Sequence, residues 1–121
     1  MSKTVLIVDD SASMRQMLSF TLQQGGFEVV AGTNGQEGLE QLDSHRVDLI
    51  VTDLNMPVMD GITFIKNARA LPALKGTPIL MLTTESADSL KQQGKAAGAT
   101  GWIVKPFQPD KLLAVIARVL P

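Results

Sequence analysis

The chain has no cysteine and no tyrosine, a single histidine and a single tryptophan, and only 4% aromatic residues. Without cysteine, thiol catalysis, thiolate-held zinc and disulfides are all excluded. An excess of one charge is missing as well. With 11 basic and 12 acidic residues the net charge is −1, so no overall field attracts nucleic acid or an anionic membrane. Long hydrophobic runs are absent too: after Met1-Ser2-Lys3-Thr4 only four apolar residues precede Asp9, too few for a signal-peptide core or a membrane span. Neither nucleic acid nor membrane is therefore an expected partner, and a cytoplasmic address follows by elimination. No low-complexity tract, charge block or internal repeat interrupts the sequence.

What is present suits one domain over residues 1–121. A chain of this length buries roughly 65% of the surface it exposes when unfolded, and 45% of its residues are hydrophobic, so a core needs no covalent staple. Short apolar runs recur at Val5–Val8, Val29–Ala31, Leu49–Thr52, Ile79–Leu82 and Trp102–Val104. The middle and later runs are nearly continuous, as in parallel strands buried on both faces.

Helical spacing fills the intervals. Ser11 is a plausible N-cap for a stripe of Met14, Met17, Leu18 and Thr21, stopped by Gly25-Gly26. Gly35 to Leu42 predicts a shorter helix. Phe64, Ile65, Ala68 and Leu71 mark a third, closed by Pro72. Ser86 to Ala97 predicts a fourth, poor in apolar residues and containing Gly94, and therefore the weakest. Pro109 fits the first turn of the last, with Leu112, Val115, Ile116, Val119 and Leu120 on one face. Strands alternating with helices predict a three-layer α/β sandwich, and right-handed crossovers bring every strand's C-terminal end to one edge of the sheet. The pattern leaves the strand order open.

The polar residues at that edge are Asp9-Asp10, Asp53, Thr83-Thr84-Glu85 and Lys105-Pro106. Each has a plain structural reading. Asp9 and Asp10 suit an Asx turn, Asp53 a turn, the threonines a helix cap, and Lys105 an exposed turn. Convergence changes the balance. At an effective dielectric near 20, two carboxylates 4 Å apart repel by about 4 kcal/mol, and stability alone gives no reason to gather three. A divalent cation and a lysine would resolve the repulsion, and an all-oxygen donor set suits Mg²⁺. Held beside both, Asp53 would stay ionised and could act as a nucleophile.

In order along the chain, Asp9-Asp10, the run Asp53-Leu54-Asn55-Met56-Pro57-Val58-Met59-Asp60-Gly61, Thr83, and Lys105-Pro106-Phe107 resemble the receiver domains of two-component response regulators. The likeness is greatest to the CheY-like chemotaxis regulators and covers essentially the whole chain. It implies a flavodoxin-like (CheY-like) five-stranded parallel sheet of order 2-1-3-4-5 with five helices. It implies a phosphoacceptor at Asp53, a Mg²⁺ site (Mn²⁺ able to substitute) formed by Asp10, Asp53 and the Asn55 carbonyl with Asp9 acting through water, and a cis Lys105–Pro106 bond. Lys105 and Thr83 would then contact the phosphoryl oxygens, Asn55 and Glu85 would tune hydrolysis, and Trp102 would stand at the position of the family's switch aromatic. A tryptophan there reads equally well as an edge or core residue that never moves.

The resemblance further implies a monomer that catalyses only its own phosphorylation and dephosphorylation and is not an enzyme in the wider sense. Its donor would be a histidine kinase of the chemotaxis, CheA-like type. The output face would be that of the fourth helix, fifth strand and fifth helix, here offering Asp88, Lys91, Gln92, Lys95, Trp102 and Lys111. No linker or DNA-binding motif follows the last helix, so output is expected through another protein. Flagellar motor-switch binders usually carry a basic residue where Asp88 stands and Tyr where Trp102 stands, which keeps a different target or a phosphate-sink role open.

Two rivals from other classes remain. A flavin carrier would need a Ser, Thr and Gly-rich phosphate loop after the first strand, where this chain has Asp9-Asp10. An aspartate-nucleophile phosphatase would carry its nucleophile after the first strand with a second Asp two residues on. Of the remaining residues, His45 reads as solvated, Met14, Met17 and Met81 as core filler, and Asp60-Gly61 as a turn into the third helix.

Overall fold

In a computed structural model, which describes residues 3–54, 56–84 and 88–120, the apolar runs become parallel strands. These are β1 (Thr4–Val8), β2 (Glu28–Gly32), β3 (Leu49–Asp53), β4 (Ile79–Thr83) and β5 (Gly101–Val104). Each begins or ends about one residue beyond its apolar run. The helices are α1 (Ala12–Gln24), α2 (Gly35–Ser44), α3 (Gly61–Arg69), α4 (Asp88–Ala97) and α5 (Pro109–Val119), with a 3₁₀ turn at Pro72–Leu74. The strands form one sheet of order β2-β1-β3-β4-β5, the flavodoxin-like arrangement.

The sheet's two faces carry separate apolar layers, as the alternation of strand side chains requires. Leu6, Val8, Ile50, Ile79 and Met81 pack with Phe64, Ile65, Ala68 and Ala97 on the side of α2, α3 and α4. Val5, Ile7, Leu49, Val51, Leu80 and Leu82 pack with Leu18, Leu22, Leu112 and Ile116 on the side of α1 and α5. Strands β1, β3 and β4 are thus buried on both faces, which explains why they read as unbroken apolar runs.

Helix boundaries follow local chemistry. The Ser11 hydroxyl accepts from the Met14 N–H at 3.3 Å, and Asn34 and Asp60 cap α2 and α3 in the same way at 2.9 and 2.8 Å. Gly26, at φ 90°, takes the left-handed conformation that turns the chain out of α1. Helix α3 stops at Arg69, two residues short of Leu71, because Pro72 forces its predecessor out of the helical region and opens a 3₁₀ turn instead. The predicted beginning of the fourth helix at Ser86 lies outside the described residues. Helix α4 reaches the sheet through small residues: a Cβ on Gly94 would collide with the Met81 thioether. Among the described residues no helix is long and apolar enough to cross a membrane.

One expectation fails. Met17 is 51% exposed, because the buried stripe of α1 runs through Leu18, Thr21 and Leu22, and Met17 lies on its flank. Met14 is half-buried and Met81 fully buried, both against the core.

Candidate functional site

Parallel pairing aligns the strand ends. Asp53 is the last residue of β3 and lies in register with Leu82 of β4. Thr83 closes β4 opposite Val104, with the Lys105 N–H donating to the Thr83 carbonyl at 2.7 Å. Asp9 follows β1 directly, its N–H bonded to the Gly32 carbonyl at 3.1 Å. Asp9, Asp53 and Thr83 are all buried.

Lys105 Nζ lies 3.2 Å from Asp9 Oδ2 and 3.3 Å from Asp53 Oδ2, a single ammonium shared by two buried carboxylates. The lysine is therefore an interior cation and not an exposed turn residue. Its peptide bond to Pro106 is cis, as the motif implied. The other Asp9 oxygen, Oδ1, accepts from the Ser11 N–H at 2.9 Å. Both readings of this residue hold at once: Asp9 makes an Asx-type turn and faces the cluster. Asp10 is exposed, and oxygens of Asp9, Asp10 and Asp53 lie within 4.8 Å of one another.

Burial pushes the Asp53 carboxyl pKa above its usual value, and the neighbouring Asp9 charge adds to the rise. Lys105 and the Leu54 N–H pull the other way without overcoming it. One ammonium between two carboxylates leaves negative charge uncompensated, so this pocket favours a further cation. Its donors are hard carboxylate oxygens, which fit a small divalent metal and offer nothing to a soft one.

The segment leaving Asp53 is tightly held. Leu54 N–H donates to Asp53 Oδ1 at 2.8 Å, and the Thr52 hydroxyl donates to the Asp53 carbonyl at 3.0 Å. The chain then returns, with the Gly61 N–H on the Leu54 carbonyl at 2.9 Å. A side chain at Gly61 would collide with the Asp53 carbonyl oxygen and stand 2.8 Å from Leu54 Cα. Between these points Val58 has φ 72° and is 82% exposed, while Met59 N–H donates to the Pro57 carbonyl at 2.8 Å. That bond makes a γ-turn centred on a β-branched residue in the left-handed region, a strained arrangement.

Asp9, Asp10, Asp53, Thr83 and Lys105 thus meet at one edge. Asn55 and Glu85, the expected hydrolysis-tuning positions, and with Asn55 the expected carbonyl donor, lie outside the described residues. Trp102 is half-buried at the sheet's edge against the core, with Lys91 Nζ 4.3 Å from the centre of its ring. Gln92, Lys95 and Lys111 are exposed on the same face, and His45 is exposed as expected. The sequence reading missed Arg15, whose Nη1 donates to the Asp9 carbonyl at 2.6 Å. A signal was available, since a cation in the first turns of a helix opposes the macrodipole and implies a local acceptor.

A family model for the response regulator receiver domain matches residues 5–117. The chain is 40% identical to the chemotaxis protein CheY of Bacillus subtilis over 99% of each chain. It is 52% identical to the chemotaxis protein CheY4 of Vibrio cholerae, whose crystal structure superposes with a TM-score of 0.97 over 99% of this chain and 100% of that one. It is also 34% identical to the phosphate regulon transcriptional regulatory protein PhoB of Escherichia coli, of which it spans about half, 52%.

Proposed function

The chain belongs to the response regulator receiver domain family, and from that premise we propose that it is a phosphoacceptor of chemotaxis-type two-component signalling, modified on Asp53. The observation that carries this reading is the shared ammonium: Lys105 Nζ within 3.3 Å of both Asp9 and Asp53, beside a third carboxylate.

A carboxylate oxygen of Asp53 attacks the phosphorus of a phosphohistidine on a CheA-like kinase. The new P–O bond forms as the P–N bond breaks, and the departing imidazole keeps the bond's electron pair and takes up a proton. Phosphoryl transfer asks mainly for positioning and charge neutralisation. Asp53 is positioned by its Leu54 and Thr52 hydrogen bonds, and Lys105 neutralises charge on the incoming oxygens. Asp9, Asp10 and Asp53 would hold Mg²⁺, or Mn²⁺ in its place, which supplies further neutralisation when bound. The Thr83 hydroxyl, at the end of the neighbouring strand, would donate to a phosphoryl oxygen. By this reading the protein acts on itself and turns over no separate substrate.

Output would pass through the face of α4, β5 and α5, where Lys91, Trp102 and Lys111 lie. The target would be the flagellar motor switch or another protein, or the chain would act as a phosphate sink; Asp88 and Trp102, standing where motor binders usually carry a basic residue and Tyr, count against the motor. A location in the cytoplasm and a monomeric state belong to the same proposal.

Incubation with acetyl phosphate and Mg²⁺ should add one phosphoryl group to the intact mass. The adduct should be absent in EDTA and in Asp53→Asn. No adduct, together with no change in Trp102 fluorescence on adding beryllofluoride and Mg²⁺, would refute the proposal.

A further inference from the structure

Every polar group of Asp9 is engaged. Its N–H meets Gly32, its Oδ1 accepts from the Ser11 N–H, and its Oδ2 faces Lys105. Its carbonyl accepts from Arg15 Nη1 at 2.6 Å. Asp53 is held comparably, by the Leu54 N–H and Lys105. Asp10 differs: its carboxylate is exposed and, among the described residues, has no hydrogen-bond or ion-pair partner. No side-chain contact holds that carboxylate, so its reach toward the cluster depends on where the backbone places the Asp10 Cα.

Arg15 controls that backbone. The peptide linking Asp9 to Asp10 is planar, so a bond that holds the Asp9 carbonyl also holds the Asp10 N–H and Cα, the point about which the Asp10 side chain rotates. The arginine is half-buried and stands at the fourth position of α1, a helix with no acidic residue in its first turn. Helix electrostatics disfavour a cation there. The Asp9 carbonyl bond is the compensating contact, and Glu37 at the start of α2 lies within electrostatic reach on the other side.

We propose that Arg15 is a positioning residue for the cation site: by clamping the Asp9 carbonyl it holds the Asp10 Cα where its carboxylate reaches the space between Asp9 and Asp53. This rests on the reading of the acidic cluster as a divalent-cation site.

A sign test separates positioning from simple charge. Through its charge alone, Arg15 repels a dication, so Arg15→Met would tighten Mg²⁺ binding. Through positioning, the same change should loosen it, by about tenfold, the lower end of what groups behind metal ligands contribute. Arg15→Lys keeps a donor directed at the carbonyl and should recover most of that loss.

The experiment is calorimetric titration of MgCl₂ into the wild type, Arg15→Met, Arg15→Lys and Asp10→Asn without any phosphodonor, with circular dichroism as a check on folding. Wild-type binding that weakens in Arg15→Met and recovers in Arg15→Lys is the expected result. Unchanged or tighter binding in Arg15→Met, or equal loss in both arginine variants, overturns the proposal. If Arg15→Met does not fold, Arg15→Gln, which also removes the charge and is too short to reach the Asp9 carbonyl, takes its place with the same outcomes: weaker binding supports the proposal, and unchanged or tighter binding overturns it. A wild type that binds no Mg²⁺ refutes the cation-site reading itself, a different outcome from an insensitive Arg15.

Discussion

Replacing the proposed nucleophile should make the metal-free protein more stable. The Asp53 side chain is 9% exposed and is crowded by carboxylate oxygens within 4.8 Å. At that distance and an effective dielectric near 20, each like-charge pair costs about 3.5 kcal/mol. Lys105 at 3.3 Å returns about 5 kcal/mol on the same scale, yet it stays with Asp9 once Asp53 is neutral. The two repulsions, about 7 kcal/mol together, therefore exceed the attraction by about 2 kcal/mol, so the Coulomb terms favour Asp53→Asn. The desolvation penalty is relieved as well, amounting to several kcal/mol for a buried ion. Because asparagine keeps an acceptor for the Leu54 N–H but turns an amide toward a cation, the expected net gain is smaller, about 1–2 kcal/mol. That corresponds to about 4–8 °C in Tm for a domain of this size.

The pH dependence has a definite sign. The folded Asp53 carboxyl ionises above its ordinary value of 3.8, so in that window the folded state binds more protons than the unfolded state. Its contribution to stability is full below the ordinary value and is lost as pH rises through the raised one. The advantage of Asp53→Asn should accordingly be largest near pH 7.5 and shrink as pH approaches 3.8. Urea unfolding in EDTA at several pH values measures it. Adding Mg²⁺ at about 100 times its Kd should stabilise the wild type by about 2.7 kcal/mol and the variant by less. An Asp53→Asn protein no more stable than wild type in EDTA at pH 7.5 would refute this account of the site.

Two other substitutions test the loop that follows. Gly61→Ala should cost about 2–4 kcal/mol in urea unfolding, since the new methyl meets fixed backbone at Asp53 and Leu54, and it should slow phosphorylation by acetyl phosphate. Val58→Asn should raise stability by about 1 kcal/mol, because asparagine tolerates the φ of 72° and the exposed valine has no packing to lose; an unchanged Tm would count against strain at this turn.

The strands were the most legible part of the chain because β1, β3 and β4 are buried on both faces, which leaves apolar runs that allow few other interpretations. Helices were legible wherever a cap or breaker stood at the end, as with Ser11, Gly25-Gly26 and Pro109. Met17 was misplaced because methionine suits core and surface alike, and the stripe on α1 is narrow. Strand order came only from the family resemblance, since local pattern does not record which strands are neighbours. The acidic cluster and Lys105 could be anticipated because each directly follows an apolar run, and parallel topology sends those ends to one edge. Arg15 and Val58 escaped for a common reason: their roles depend on backbone geometry. The φ of Val58 leaves no trace in residue type, and a cation early in α1 hints at an acceptor without saying which carbonyl Arg15 grips.

The same edge concentrates what is unfavourable in this fold: the crowded carboxylates, the strained turn at Val58 and a glycine with no room for a methyl. All lie at or just beyond the ends of β1 and β3, while the strands beneath them, buried between two apolar layers, supply the stability that offsets them. This division has a consequence for signalling under the proposed function. A ligand shifts a conformational equilibrium only by the difference in its interaction with the two states. Repulsion of about 3.5 kcal/mol per carboxylate pair is free energy that cation binding can relieve and that a phosphoryl group, with its added negative charge, restores in another place. Relief of one such pair is one contribution to the work the site can do on Thr83 and on the face of α4, β5 and α5. By itself it is enough to change the population of an output conformation by a few hundredfold, yet one pair is smaller than the ~5–15 kcal/mol that holds a small domain folded.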